Sequence, residues 1–191
     1  MMIVPLEIPQ FATKVVLFVT HEDRVLVFLE PAYPHIKLQV PGGTVEDGED
    51  IEAAARRELA EETGLEDVAS MRLLATRDYV FEHNDKAHKH IRHFFHITLV
   101  GTPRERWSHW ETSSSLGFGP IEFALFWMDF GHAADELGYG FGPPLAEHTP
   151  ALLRGGGQLP NSRLALRLAI FCAVSTGSWA SQLRYCAMMS P

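Results

Sequence analysis

Residues Pro41–Leu65 read PGGTVEDGEDIEAAARRELAEETGL. Glu46, Asp47, Glu49, Asp50 and Glu52 come before an alanine run, Ala53–Ala55, and Glu58, Glu61 and Glu62 then crowd together ahead of Gly64. Glu49–Thr63 reads as a helix. Its acidic first turn faces the positive end of the helix dipole, its middle is alanine, and Gly64 suits the left-handed position after a helix end. Ala55, Glu58 and Glu62 all project within about 40° of Ile51. The stripe that is apolar in the first two turns therefore becomes acidic in the last two. Glu52 and Arg56 fall on the far side, four apart, at the spacing of a solvated ion pair.

Carboxylates on an inward face raise one another's pKa and cost stability unless a cation compensates. Hard oxygen ligands at this density suit Mg²⁺ or Mn²⁺. A pattern that breaks the rule for surface helices in this way marks a functional site. A solvated acidic helix end is the plain alternative.

Outward from the helix, Lys14–Thr20 (KVVLFVT) and Arg24–Leu29 (RVLVFL) are β-branched and aromatic runs joined by a polar turn, the pattern of a hairpin. A loop rich in proline and glycine connects them to the helix. Met71–Phe81, His90–Val100 and Ile121–Phe130 read as further strands, Pro103–Gly119 as a polar, irregular loop, and Pro144–Leu153 as a short helix. Strands around one well-specified helix make an α+β domain.

The spacing Gly43, Glu49, Arg57-Glu58-Leu59, Glu61-Glu62, Gly64-Leu65 resembles the Nudix box, with each defining position filled. The resemblance implies an α/β/α sandwich around a mixed sheet, with a loop-helix-loop that binds divalent metal. It also implies hydrolysis of a nucleoside diphosphate linked to another moiety, X. By position, Glu58, Glu61 and Glu62 match metal-binding glutamates, and the carbonyl of Gly42 matches a frequent backbone ligand. Arg57 and Glu49 match residues that orient the site, and Gly43 and Gly64 match structural positions.

The expected cofactor is thus Mg²⁺ or Mn²⁺, and the expected partner a nucleotide-derived small molecule. An acidic pocket holds a pyrophosphate only with such cations between the two. Glu61, or a later acid such as Glu111 or Glu122, is the candidate general base. The alternative is a nucleotide-sensing module of the same type without catalysis. Such modules commonly lose box glutamates, and here none is missing.

The net charge of −8 argues against a broad grip on a nucleic-acid backbone, which needs a surplus of lysine and arginine. Cys172 and Cys186 lack zinc spacing and suggest a reducing interior, and the start MMIVPLEIPQ lacks a basic secretory n-region; a cytoplasmic setting is expected. No acidic residue follows Glu147, which places a boundary near Pro150: a Nudix-type domain over 1–150, then an extension over 151–191. In that extension Leu164–Ala180, 17 residues, is too short for a membrane span and reads as a helix packing on the domain or on a second subunit, or as a poorly ordered tail.

Two weaker signals remain. In KAHKHIRHFFHI, alternation puts His88, His90 and His96 on one strand face and His93 on the other, which suits a polar face bordering a pocket better than zinc. Trp107, Trp110, Phe118 and Phe126 are candidate stacking partners for a base, with the 103–119 loop as the element that selects X.

Overall fold

The first hairpin forms where the β-branched runs predict it. Strand β1 spans Gln10–His21 and β2 spans Arg24–Leu29, with Glu22 at a positive φ of 56° in the turn between them. The computed structural model describes residues 10–83, 86–112 and 120–155. Helix α1 follows at Ile51–Thr63, then β3 (Val68–His83), β4 (Lys86–Leu99), β5 (Arg106–Glu111) and β6 (Ile121–Asp129). Helices α2 (Phe130–Glu136) and α3 (Gly142–Gly155) close the order.

The six strands form one sheet in the order β3-β4-β1-β2-β6-β5. β1 and β4 run parallel, and the other neighbours are antiparallel. Alternation sends successive side chains to opposite faces. Val15, Leu17, Val19, Leu26, Phe28, Phe95 and Leu125 pack with Ala54, Ala55 and Leu59 of α1. Val16, Phe18, Val25, Val27 and Phe94 pack with Phe130 and Ala133 of α2 and with Leu145 and Leu152 of α3. The result is the expected α/β/α sandwich on a mixed sheet.

The sequence reading needs two corrections here. Part of the supposed irregular loop, Arg106–Glu111, is an edge strand. RWSHWE has no β-branched residue, but its exposure alternates along the strand, and the indole of Trp107 donates to the Thr63 carbonyl at 2.8 Å. Helix α2 was also not foreseen, because seven residues carry too little periodicity to reveal it. Helix α3 continues through Pro150 to Gly155. The expectations for Leu164–Ala180 and for Phe118 fall outside the described residues. No helix among the described residues is long and apolar enough to cross a membrane.

One departure from regular pairing positions the site. The β1–β2 register holds at Thr20↔Val25 and His21↔Arg24. Further along, the segment Gln39–Val45 occupies the gap. Leu17 N–H donates to Pro41 O at 2.8 Å, Val15 N–H to Gly43 O at 3.0 Å, and Val45 N–H to Thr13 O at 2.9 Å. On the other side, Phe28 and Gln39 exchange backbone bonds of 2.9 and 3.1 Å. Gly42 and Gly43 are thereby fixed beside the acidic half of α1.

Leu17, fully buried at the centre of β1, faces α1. Leu17→Ala should destabilise the fold by about 3 kcal/mol through lost burial and a residual cavity. Urea unfolding would show this as a lowered midpoint at unchanged slope.

Candidate functional site

Helix α1 begins and ends as its sequence requires. The carboxylate of Asp50 accepts from Glu52 N–H at 2.9 Å and Ala53 N–H at 3.1 Å, satisfying two donors that the first turn leaves open. Gly64 takes a φ of 69° and returns its N–H to the Ala60 carbonyl. Between these caps the inward stripe is the one read from the spacing, since Ala54, Ala55, Glu58, Leu59, Glu62 and Thr63 are all buried. Glu58 and Glu62 retain only 7% and 8% of their exposure, and half-buried Glu61 lies between them. Glu52 and Arg56 are exposed, and among the described residues no ion pair joins them.

Arg57 ties the acidic groups to the loop. Its Nε and Nη2 grip both oxygens of Glu49 at 2.8 and 2.9 Å, and Nη2 also donates to the Thr44 carbonyl at 2.9 Å. Its Nη1 donates to Glu58 and to Glu61, each at 2.9 Å. Glu62 is held differently, accepting from the backbone N–H of Gly42 at 2.8 Å. Of the residues matched to the box, Glu49, Arg57, Glu58 and Glu61 are therefore joined in one network, and Glu62 is bonded separately to Gly42.

The paired glycines make this approach sterically feasible. A Cβ on Gly43 would fall 2.1 Å from a Glu58 oxygen, in the space the carboxylate occupies. A Cβ on Gly42 would fall 2.3 Å from the Val15 carbonyl, within the loop's own pairing with β1.

Burial and like charge shape the titration. The pKa of Glu62 is raised well above its ordinary value, first by burial and then by Glu58 and Glu111, against the Gly42 N–H. Glu58 is raised by burial, which Arg57 partly offsets. Glu49 is held down to about 2 by its bond to Arg57, and the Arg57 pKa is raised in return.

Two further acids join the cluster. Glu111, at the end of β5, has its pKa raised by burial and by the charges of Glu61 and Glu30. Glu30 follows β2, is raised chiefly by burial, and accepts from the Gln39 side chain at 3.0 Å. Glu30 was missed in the sequence. The available signal was its alternation with the inward-facing Leu26 and Phe28. Glu122 pairs across from the exposed Trp110, one position out of phase with Phe123 and Leu125, which pack towards α1. It therefore points to the opposite face from Glu111.

The histidines of β4 have separate neighbours. His96 is buried and shares a 2.8 Å hydrogen bond with Thr20 Oγ1, while His93 meets Thr76 Oγ1 at 2.9 Å. His88 stacks on Phe81, and His90 meets the same ring edge-on. Burial lowers the pKa of both His90 and His96 to about 4. Trp107 and Phe126 pack in the core, so they offer no open stacking face, whereas Trp110 is exposed.

The donor set suits a hard divalent cation: buried carboxylate oxygens with elevated pKa, held against glycines that leave room for them. Among the described residues no three acidic, histidine or cysteine side chains converge as ligands, and Arg57 holds one oxygen each of Glu58 and Glu61.

The family model described as NUDIX domain matches residues 10–139, most of the chain. The protein belongs to the Nudix hydrolase family. Solved Nudix-fold structures agree with the architecture. A NUDIX hydrolase from Nitrosomonas europaea superposes with a TM-score of 0.55 at 21% identity, over 74% of this chain and 90% of that one. The E. coli dihydroneopterin triphosphate pyrophosphohydrolase gives 0.55 at 16% identity, over 74% of this chain and 99% of that one. A curated RNA pyrophosphohydrolase of Caulobacter vibrioides is 60% identical over 35 residues. That match covers 18% of this chain and only 20% of the relative's length.

The buried Nudix glutamates carry a pH signature. Their folded pKa values lie above the ordinary 4.5, so above that pH the folded state binds protons that the unfolded state has released. Stability then falls as pH rises through the folded pKa values. Glu62→Gln keeps an acceptor for Gly42 N–H and removes the charge. With divalent cations chelated, its thermal midpoint should exceed that of the wild type by a margin that widens as the pH rises above the ordinary carboxylate value of 4.5. An unchanging margin would mean that the carboxylate is solvated.

Proposed function

We propose that this Nudix protein is a Mg²⁺- or Mn²⁺-dependent pyrophosphohydrolase that cleaves the diphosphate link of a nucleoside diphosphate joined to another moiety. One observation carries the reading. Glu49, Glu58 and Glu61 share the single guanidinium of Arg57, while among the described residues buried Glu62 is held by the backbone N–H of Gly42. Such a cluster lacks positive charge, and a bound divalent cation would supply it.

Glu58, Glu61 and Glu62, with the carbonyl of Gly42, would hold the metal. The bound metal would neutralise the diphosphate, polarise its phosphoryl oxygens and lower the pKa of water. The chain's own residues do the rest. Arg57 and Glu49 hold the helix end against the loop, so that the carboxylates keep their positions as the substrate enters. A carboxylate takes the proton of the attacking water. Glu61 and Glu111 lie on the correct face for this, and the raised pKa of Glu111 favours proton acceptance. Glu122 faces away.

The E. coli and Caulobacter relatives are named as pyrophosphohydrolases, which agrees with this reading. The intact set of box glutamates favours catalysis over sensing.

Release of phosphate from a panel of nucleotide diphosphates, after coupling to a phosphatase, tests the reading directly. Glu61→Gln and Glu62→Gln should each lower kcat by about 10²-fold or more. Glu122→Gln should stay within about threefold of the wild type, as befits a residue on the other face. Metal-dependent nucleotide binding with no turnover across the panel would replace the hydrolase reading by a sensor.

A further inference from the structure

The Gly42–Gly43 loop has glutamates on one side. On the α2/α3 face of the sheet the same loop borders a cavity of about 340 Å³, lined among others by Lys14, Gln39, Tyr79, Arg92, Tyr139 and Phe141. Its character is the reverse of the acidic site.

Arg92, on β4, is only 5% exposed. Its guanidinium lies 3.5 Å from the centre of the Tyr79 ring and 4.8 Å from that of Phe141. Its Nη1 donates to the Tyr139 carbonyl at 2.6 Å, and Tyr139 itself holds a positive φ of 56°. Among the described residues no carboxylate pairs with it, and burial is the largest influence on its pKa, which is lowered.

This is not for want of acids, since the chain carries 24 of them against 16 lysines and arginines. Arginine stays charged even when buried, and the rings of Tyr79 and Phe141 lie against its guanidinium at the cavity wall. Lys14, also lining the cavity, donates to Thr44 Oγ1 and feels the charges of Glu58, Glu62 and Arg92. It is therefore within electrostatic reach of both the carboxylate cluster and the guanidinium.

We infer that this cavity takes a phosphoryl group of the substrate beyond the diphosphate under attack, so that the preferred X is itself phosphorylated, as in a nucleoside triphosphate or dinucleoside polyphosphate. A neutral sugar would leave Arg92 buried against nothing of opposite charge. A phosphoryl group meets its in-plane donors with two oxygens and meets the ammonium of Lys14 with the third. The β4 strand and the Tyr139–Phe141 turn then act as a specificity element. The inference rests on the hydrolase reading for its kinetic form, while anion binding in the cavity stands apart from it.

The test uses the full chain with Mg²⁺ and compares kcat/KM for a nucleoside triphosphate, a dinucleoside tetraphosphate and a nucleoside diphosphate hexose of the same base. The wild type should favour at least one phosphorylated substrate over the hexose by about tenfold or more. Arg92→Gln should shrink that ratio by about tenfold, and Arg92→Lys by less, because lysine keeps the charge but not the planar fork. A hexose hydrolysed as well as both phosphorylated substrates, or a ratio that Arg92→Gln leaves unmoved, overturns the inference. Should Arg92→Gln fail to fold, the same ratio in Lys14→Gln decides, and an unchanged value is fatal.

A second readout does not need turnover. Calorimetric titration with inorganic pyrophosphate in EDTA should show binding by the wild type, with a Kd about tenfold higher in Arg92→Gln. No binding by the wild type, or equal binding by the variant, overturns the inference. A wild type that binds pyrophosphate and hydrolyses nothing would sink the hydrolase reading and leave the cavity assignment standing.

Discussion

Arg57 has five N–H groups, and the structure gives five bonds to them: two to Glu49, one to Thr44 O, one to Glu58 and one to Glu61. Among the described residues no other side chain links the loop before the helix, the start of the helix and its acidic end. The fork geometry of a guanidinium permits this, whereas a lysine ammonium would meet these partners only as a point charge. The arrangement leaves three carboxylates sharing one positive charge, with Glu62 close by on a backbone N–H. The site is thus rigid in geometry and short of positive charge, a combination that favours a cation held by fixed ligands.

The sandwich around it supplies that rigidity. Helix α1 is fixed on the sheet by the small Ala54 and Ala55 in its first half and by Leu59 among the carboxylates. Trp107 closes the other end by donating to Thr63. On the opposite face, Leu145 and Leu152 of α3 and Phe130 and Ala133 of α2 complete the core. Arg77 on β3 reaches Glu147 on α3 at 2.6 Å, an exposed pair that adds little energy but joins the cavity's flank to the helix layer.

The helix and its inward acids were legible because a 3.6-residue period, an acidic first turn and a terminal glycine agree, although the reading began at Glu49 and the helix at Ile51, behind the cap of Asp50. The hairpin and the long strands were legible from β-branched runs. What the sequence hid depended on tertiary contact. Arg106–Glu111 pairs as an edge strand because Phe123 and its neighbours offer a partner, although its own composition is polar. Glu111 and Glu122 looked equivalent as candidate acids, and only the strand register put them on opposite faces. The aromatic residues bordering the cavity, Tyr79 and Phe141, come from a strand and a turn far apart in the chain, so no local pattern announced them, whereas the tryptophans that did attract notice serve packing or lie at the surface.

The segment Gln39–Val45 has a consequence for how the molecule responds to occupancy. It fills a break between two central strands, and its amides and carbonyls complete the ladder on both sides. Most sheets put their weakest seam at an edge; here a seam runs through the middle, stitched by the same few peptide groups that border the acidic cluster. Whatever grips or releases Gly42 and Gly43 pulls on β1 as well, so chemistry at the surface and cohesion of the interior share one set of bonds.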